Sequence, residues 1–200
     1  MPAAATLLKR VAEAAASCTR CPLYRNATQT VFGEGPVPAA IMMVGEQPGD
    51  QEDLAGRPFV GPAGRALDRG LAEVGLDRSK VYITNAVKHF KNEPRGKKRM
   101  HKRPNRYEVE VCKVWLGQEI SLVRPQLVLA LGVTAAVALA GRAVVLSRER
   151  GKMIEFAGGQ RGMVTIHPSA ILRMPDEAAR HAAFAAFVKD LKAAVKLAAA

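Results

Sequence analysis

Three groups of residues carry side chains able to do chemistry. The first is Cys18-Thr19-Arg20-Cys21, a C-x-x-C pair in a chain with three cysteines, the third being Cys112. An odd cysteine count fits a disulfide framework poorly, and a tightly spaced pair is more often a metal or redox site. A thioredoxin-type pair should follow a strand and open a helix, whereas this one follows a helical segment, so half a zinc or iron-sulfur site is the better reading. Two further ligands are then needed, and Cys112 and a histidine are available. The second group is the stretch Lys88–Arg103, KHFKNEPRGKKRMHKR, in which eight residues are Lys or Arg and Glu93 alone is acidic. It holds two of the four histidines, His89 and His101, while Pro94 and Gly96 break any helix. Such a loop either grips a polyanion and presents an imidazole to it, or is a solvated basic loop. The third group is scattered: Gly45-Glu46-Gln47-Pro48-Gly49-Asp50, Asn85 through His89, Gly132, and His167-Pro168-Ser169.

What unites the scattered group is the elements that must carry it. Ile41–Val44, Val81–Thr84, Leu127–Leu131 and Met163–Ile166 are short continuous apolar runs, each the length of a strand buried on both faces. Between them lie helical patterns: Leu67, Leu71 and Val74, with Pro62 at the start and Gly75 past the end, then Val111, Val114, Trp115 and Leu122. Helices are also expected over residues 4–17 and from Pro175-Asp176-Glu177 to about Leu197. In the stretch Arg142–Gly162 the short apolar pieces Ala143-Val144-Val145-Leu146 and Met153-Ile154 suggest a small hairpin. Strand and helix alternate, which predicts one α/β domain over residues 1–200, a three-layer α/β/α arrangement with a central four-stranded, mostly parallel sheet. Ligands of such sheets bind beyond the carboxyl ends of the strands, where all the scattered residues fall.

Composition narrows the partner. Lys and Arg number 30 against 18 Asp and Glu, giving a net charge of +12 and a pI near 10.1. A nucleic acid is the expected partner, because neutralising its phosphates releases counterions. No apolar run is long enough to span a membrane, and Lys9, Arg10 and Glu13 stand where a signal peptide would be apolar, so no membrane association and a cytoplasmic location are expected. A monomer is the default.

Three motifs together carry a resemblance. GEQPGDQEDLAGRPFVGPAGR (Gly45–Arg65), TNAVKHF (Thr84–Phe90) and HPSAILR (His167–Arg173) resemble the iron-sulfur uracil-DNA glycosylases, and GKKRMH (Gly96–His101) looks like the basic loop of their UdgX branch, whose members bind uracil-containing DNA covalently. The likeness runs from Cys18 to the last helix. It implies the uracil-DNA glycosylase fold and a four-iron four-sulfur cluster. In the larger group the ligands are four cysteines; here His89 stands at the third position, as in the UdgX branch, so the implied ligands are Cys18, Cys21, His89 and Cys112. Imidazole ligation has a precedent in Rieske centres, and Cys3His is equally a zinc set.

The same resemblance implies roles around an extruded uracil, which cannot be reached inside a duplex, so single strands are the expected preference. Phe59 would stack on the base, Asn85 would read its Watson-Crick edge, and Gln47 would add hydrogen bonds. His167 would face uracil O2 or the neighbouring phosphate, and Ser169 the phosphate. Glu46 would stabilise the sugar cation or act as base, with Asp50 and Asp53 as further candidates. His101 would attack C1′, while Lys97, Lys98, Arg99, Lys102 and Arg103 hold the DNA backbone. A conventional turnover glycosylase and a non-catalytic, metal-stabilised uracil-DNA-binding module are the alternatives.

Overall fold

The computed structural model of the protein describes residues 3–200; Met1 and Pro2, at the head of the expected domain, lie outside the described residues. Chain order is α1 (Ala4–Ala16), β1 (Ile41–Gly45), α2 (Asp50–Ala55), α3 (Pro62–Glu73), β2 (Val81–Asn85), β3 (Asn92–Arg95), β4 (Lys98–His101), α4 (Arg106–Val123), β5 (Leu127–Leu131), α5 (Val133–Ala140), α6 (Leu146–Glu149), β6 (Met153–Phe156), β7 (Gln160–Thr165), α7 (Pro168–Leu172) and α8 (Glu177–Ala198).

The main sheet has the order β2-β1-β5-β7-β6. It therefore has five strands where the apolar runs suggest four. The extra strand, β6, is an antiparallel edge paired with β7, and the other pairings are parallel. Its exposure explains why it leaves no apolar run: Met153 and Glu155 face solvent, and only Phe156 is buried. The hairpin expected between Ala143–Leu146 and Met153–Ile154 is not formed by those pieces: Leu146 opens the short helix α6, and Met153–Phe156 pairs with β7 instead.

Strands β1, β2 and β5 are buried along their whole length. The two-residue period of a strand sends Met42 and Val44 into one core with α4 and α5, and Ile41 and Met43 into the other with α3 and α8. Leu8 of α1 joins the first core, and α1 packs on α4. Helices so placed leave the carboxyl ends of β1, β2, β5 and β7 open at one rim. Over this rim stands a second, two-stranded sheet, β3 paired with β4 around Gly96, whose φ of +59° suits a residue without a Cβ. The basic stretch, expected as a loop, is a hairpin. No helix among the described residues is long and apolar enough to cross a membrane.

Candidate active site

A cavity of about 750 Å³ opens at this rim. Glu46 and Gln47 come from the end of β1, Asp50 and Glu52 from α2, Asn85 from β2, His101 and Arg103 from the hairpin, Thr134 from α5, and His167 and Ser169 from the end of β7. Phe59 lines it as well.

Phe59 is held unusually. Its φ of 54° is one that a bulky side chain rarely adopts, and Arg78 fixes it by donating to the carbonyls of Phe59 at 3.1 Å and Pro58 at 2.8 Å, anchored itself on Asp68 at 2.8 Å. The ring is buried and lies 5.8 Å from the His167 ring, centroid to centroid. Glycine at 45 is what lets Phe59 and Asn85 approach: a Cβ there would collide with Asn85 Oδ1 and stand 2.6 Å from Phe59 Cζ. Asn85 is buried, and its Oδ1 has no hydrogen-bond partner. Glu52 ties the two glycine loops around the cavity by accepting from Gly49 N at 3.1 Å and Gly61 N at 2.7 Å.

His167 caps α7. Its Nδ1 accepts from the backbone N–H of Ser169 at 3.2 Å and lies 2.7 Å from Ser169 Oγ, so the ring proton belongs on Nε2. Burial, with Arg173 and His101 nearby, pushes its pKa down to about 4, so it is a neutral N–H donor at ordinary pH. Ser169 Oγ, expected to meet phosphate, is engaged with this ring.

The hairpin brings several expected residues together in unexpected ways. Strand alternation puts Arg99 and His101 on one face of β4 and Lys98 and Met100 on the other. Arg99 points inward: it pairs with Asp50 at 2.7 Å and Asp53 at 2.6 Å and lies over the Phe90 ring. Asp53 is fully buried, accepts from Thr28 N, and does not line the cavity. Gln47 is a clasp across the base of the hairpin, accepting from Lys91 N at 3.1 Å and donating to Lys102 O at 3.1 Å and Lys91 O at 3.3 Å. His101 Nε2 lies 3.7 Å from Glu46 Oε1.

Much of the positive charge is spent internally. Lys88 is buried and pairs with buried Glu119, which also accepts from Tyr82 Oη at 3.0 Å, Thr84 Oγ1 at 2.8 Å and Gly33 N at 3.0 Å. Burial against Glu119 pushes the Tyr82 pKa up. Lys91 pairs with Glu108 and Lys102 with Glu93. Arg95, Lys97 and Lys98 are exposed and have no acidic partner among the described residues.

Residues 32–192 match the family model described as the uracil DNA glycosylase superfamily. The chain belongs to that superfamily. It is 39% identical to a Type-4 uracil-DNA glycosylase of Thermotoga maritima, with 84% of each chain covered. A Type-4 uracil-DNA glycosylase of Pyrobaculum aerophilum is also 39% identical, over 84% of this chain and 86% of that one. A Type-5 uracil-DNA glycosylase of the same organism is 30% identical over 78% and 79%. In this superfamily member a second cluster of donors lies away from the cavity, around α4. Cys112 Sγ accepts from Lys88 N at 3.3 Å, and Trp115, one turn on, donates to Cys18 Sγ at 3.3 Å. Burial pushes Cys112 up to about 11 and raises Cys21, and the Leu23 N–H partly offsets the latter. His89 is kept neutral by burial. Thr30 Oγ1 spends its proton on Ala15 O at 2.9 Å and therefore accepts from His89 Nε2 at 3.3 Å, leaving Nδ1 with a free lone pair. Three thiols with N–H donors and an imidazole oriented by its other nitrogen fit a thiolate-rich metal group in donor chemistry. No three His, Cys, Asp or Glu side chains among the described residues are grouped tightly enough to hold a single ion.

The motifs pointed to most cavity residues. Arg78, Glu52, Glu119 and Thr134 stand outside the roles that the motifs suggest; Glu52, the third residue of α2, reaches back to the Gly49 N–H, but with glycine at the N-cap the sequence carries no capping box to mark it.

Proposed function

We propose that this protein excises uracil from DNA and that His101 then takes the sugar, as in the UdgX branch. The observation that carries the reading is the unpartnered, buried Oδ1 of Asn85 beside Phe59. An orphan acceptor costs about 1–3 kcal/mol, so the site is complementary to a ligand that supplies an N–H donor. Uracil does so: its N3–H can meet Oδ1 while its O4 accepts from the amide nitrogen. With the amide in that orientation, cytosine presents a bare N3 and an amino group, which mismatch both. The names of the relatives agree with this base.

In this reading Phe59 stacks on the extruded base and His167 donates Nε2–H toward uracil O2 as negative charge develops there. The lone pair of the unprotonated imidazole nitrogen of His101 bonds to C1′. The C1′–N1 bond breaks, its electron pair leaves on uracil N1, and the imidazole proton passes to Glu46. Lys97 and Lys98, turned outward, hold phosphates. Gln47, Asp50, Asp53 and Arg99 act on the base only indirectly, by fixing the hairpin that carries His101.

Cys18, Cys21, His89 and Cys112 would hold the four-iron four-sulfur cluster, which when bound supplies a cross-link between the segment after α1, the segment after β2 and α4. A brown protein whose colour is lost in Cys112→Ser supports the cluster; a colourless protein carrying zinc overturns it.

The activity is tested by incubating the protein with a single-stranded uracil oligonucleotide and running a denaturing gel. A slow-migrating adduct is expected, absent in His101→Ser, in which water can reach C1′ and free uracil is still released. Free uracil without adduct means conventional turnover, and a complex that falls apart in denaturant means a binding module.

A further inference from the structure

Glu46 is gripped on the side away from His101, and the grip belongs to a residue outside every motif above. Thr134 is the second residue of α5, buried at the rim where β5 ends. Its Oγ1 lies 2.5 Å from Glu46 Oε2, and it lies 3.1 and 2.9 Å from Nε and Nη2 of Arg103. A hydroxyl has one proton and two lone pairs. Both guanidinium contacts are donors and occupy the lone pairs, so the single hydroxyl proton is directed to Glu46. The carboxylate then has one oxygen committed to Thr134 and the other, Oε1, turned to His101 at 3.7 Å.

The hydroxyl also stands between two opposite charges. Arg103 Nε is 3.7 Å from Glu46 Oε2, beyond a hydrogen bond, because Thr134 takes its donors first. Without the hydroxyl, the guanidinium can close on the carboxylate in the two-pronged geometry that Arg and carboxylate favour, drawing it from His101 and weakening it as a base.

We infer that Thr134 is a positioning residue for the trapping step: it dedicates Oε1 of Glu46 to the His101 proton and keeps Arg103 from capturing the carboxylate. The assignment rests on the proposed reaction. In that step the His101–C1′ bond forms, the C1′–N1 bond breaks with its pair leaving on uracil, and the imidazole proton passes to the Glu46 oxygen that Thr134 leaves free. Thr134 touches neither base nor sugar in this scheme and acts only through Glu46.

The test compares the full-length protein with Thr134→Val, which keeps the shape and removes the hydroxyl, and Thr134→Ser, which keeps the hydroxyl. Adduct formation on a uracil oligonucleotide is timed at saturating protein, and oligonucleotide binding is measured separately; circular dichroism verifies folding. Thr134→Val is expected to slow the saturating rate about tenfold to a hundredfold, the worth of one hydrogen bond to a charged group, with binding little changed. Thr134→Ser should stay within about threefold of the original protein, a small share of that hydrogen bond. Equal slowing by both variants would make the residue a packing element and overturn the inference, as would no slowing by Thr134→Val. If the unmodified protein forms no adduct, the proposed reaction fails and the inference falls with it; an adduct unaffected by Thr134→Val falls on Thr134 alone.

Discussion

Single side chains set the selectivity proposed for this site. Asn85→Ala removes both the orphan acceptor and its amide partner, and uracil release is expected to fall about a hundredfold or more, measured as free base at saturating DNA. Gly45→Ala forces a Cβ into Asn85 and Phe59 and should reduce uracil binding as well as release. His167 yields a pH prediction. Its pKa is depressed to about 4 by burial, below the ordinary 6.5, so the folded state binds its proton later than the unfolded chain does. The stability associated with a neutral His167 is present above about pH 6.5 and is lost as pH falls toward 4, a loss on the order of 1–3 kcal/mol. In His167→Asn the part of the acid destabilisation between those values should shrink, as read from denaturant midpoints across pH. Asn85, Phe59 and His167 were legible in the sequence because their motifs are local. Arg78 and Thr134 were not, since each acts through a partner distant in the chain.

At the scale of elements, the β3–β4 hairpin is the part whose structure alters its reading most. Eight cations in sixteen residues look like a patch offered to DNA, yet the backbone alternates them, and one face of β4 turns Arg99 inward with His101. Arg99 thereby becomes a strut onto Asp50 and Asp53. Arg99→Ala leaves the buried Asp53 carboxylate with Thr28 N–H alone, and a stability loss of about 2 kcal/mol or more is expected in chemical denaturation, together with slower trapping by a hairpin no longer fixed. Strand β6 teaches the same lesson from the other direction: an edge strand exposed along most of its length has no apolar run to announce it.

For the molecule as a whole, the charge of +12 is divided between two tasks. Lys88 belongs to the interior: Lys88→Met would leave Glu119 buried and unpaired, costing about 3–5 kcal/mol in chemical denaturation. Lys97 and Lys98 belong to the surface, and replacing both by Ala should weaken oligonucleotide binding and reduce the salt slope of log K by about 1 for each phosphate no longer neutralised, with stability unchanged. Apolar runs and helix caps were enough to predict an alternating α/β order and a polar rim at the strand ends, because burial and capping are written at short range. The rim motifs supplied the candidate residues. Which cations stay exposed and unpaired, which carboxylate oxygen faces His101 and how many strands close the sheet were decided only by the tertiary structure. Ion pairing and hydrogen-bond direction depend on neighbours that folding brings from far along the chain. The C-x-x-C pair shows both sides: its spacing suggests half of the proposed metal site, but the free Nδ1 of His89 follows from Thr30 and Ala15, a hydrogen-bond relay that only the packed chain assembles.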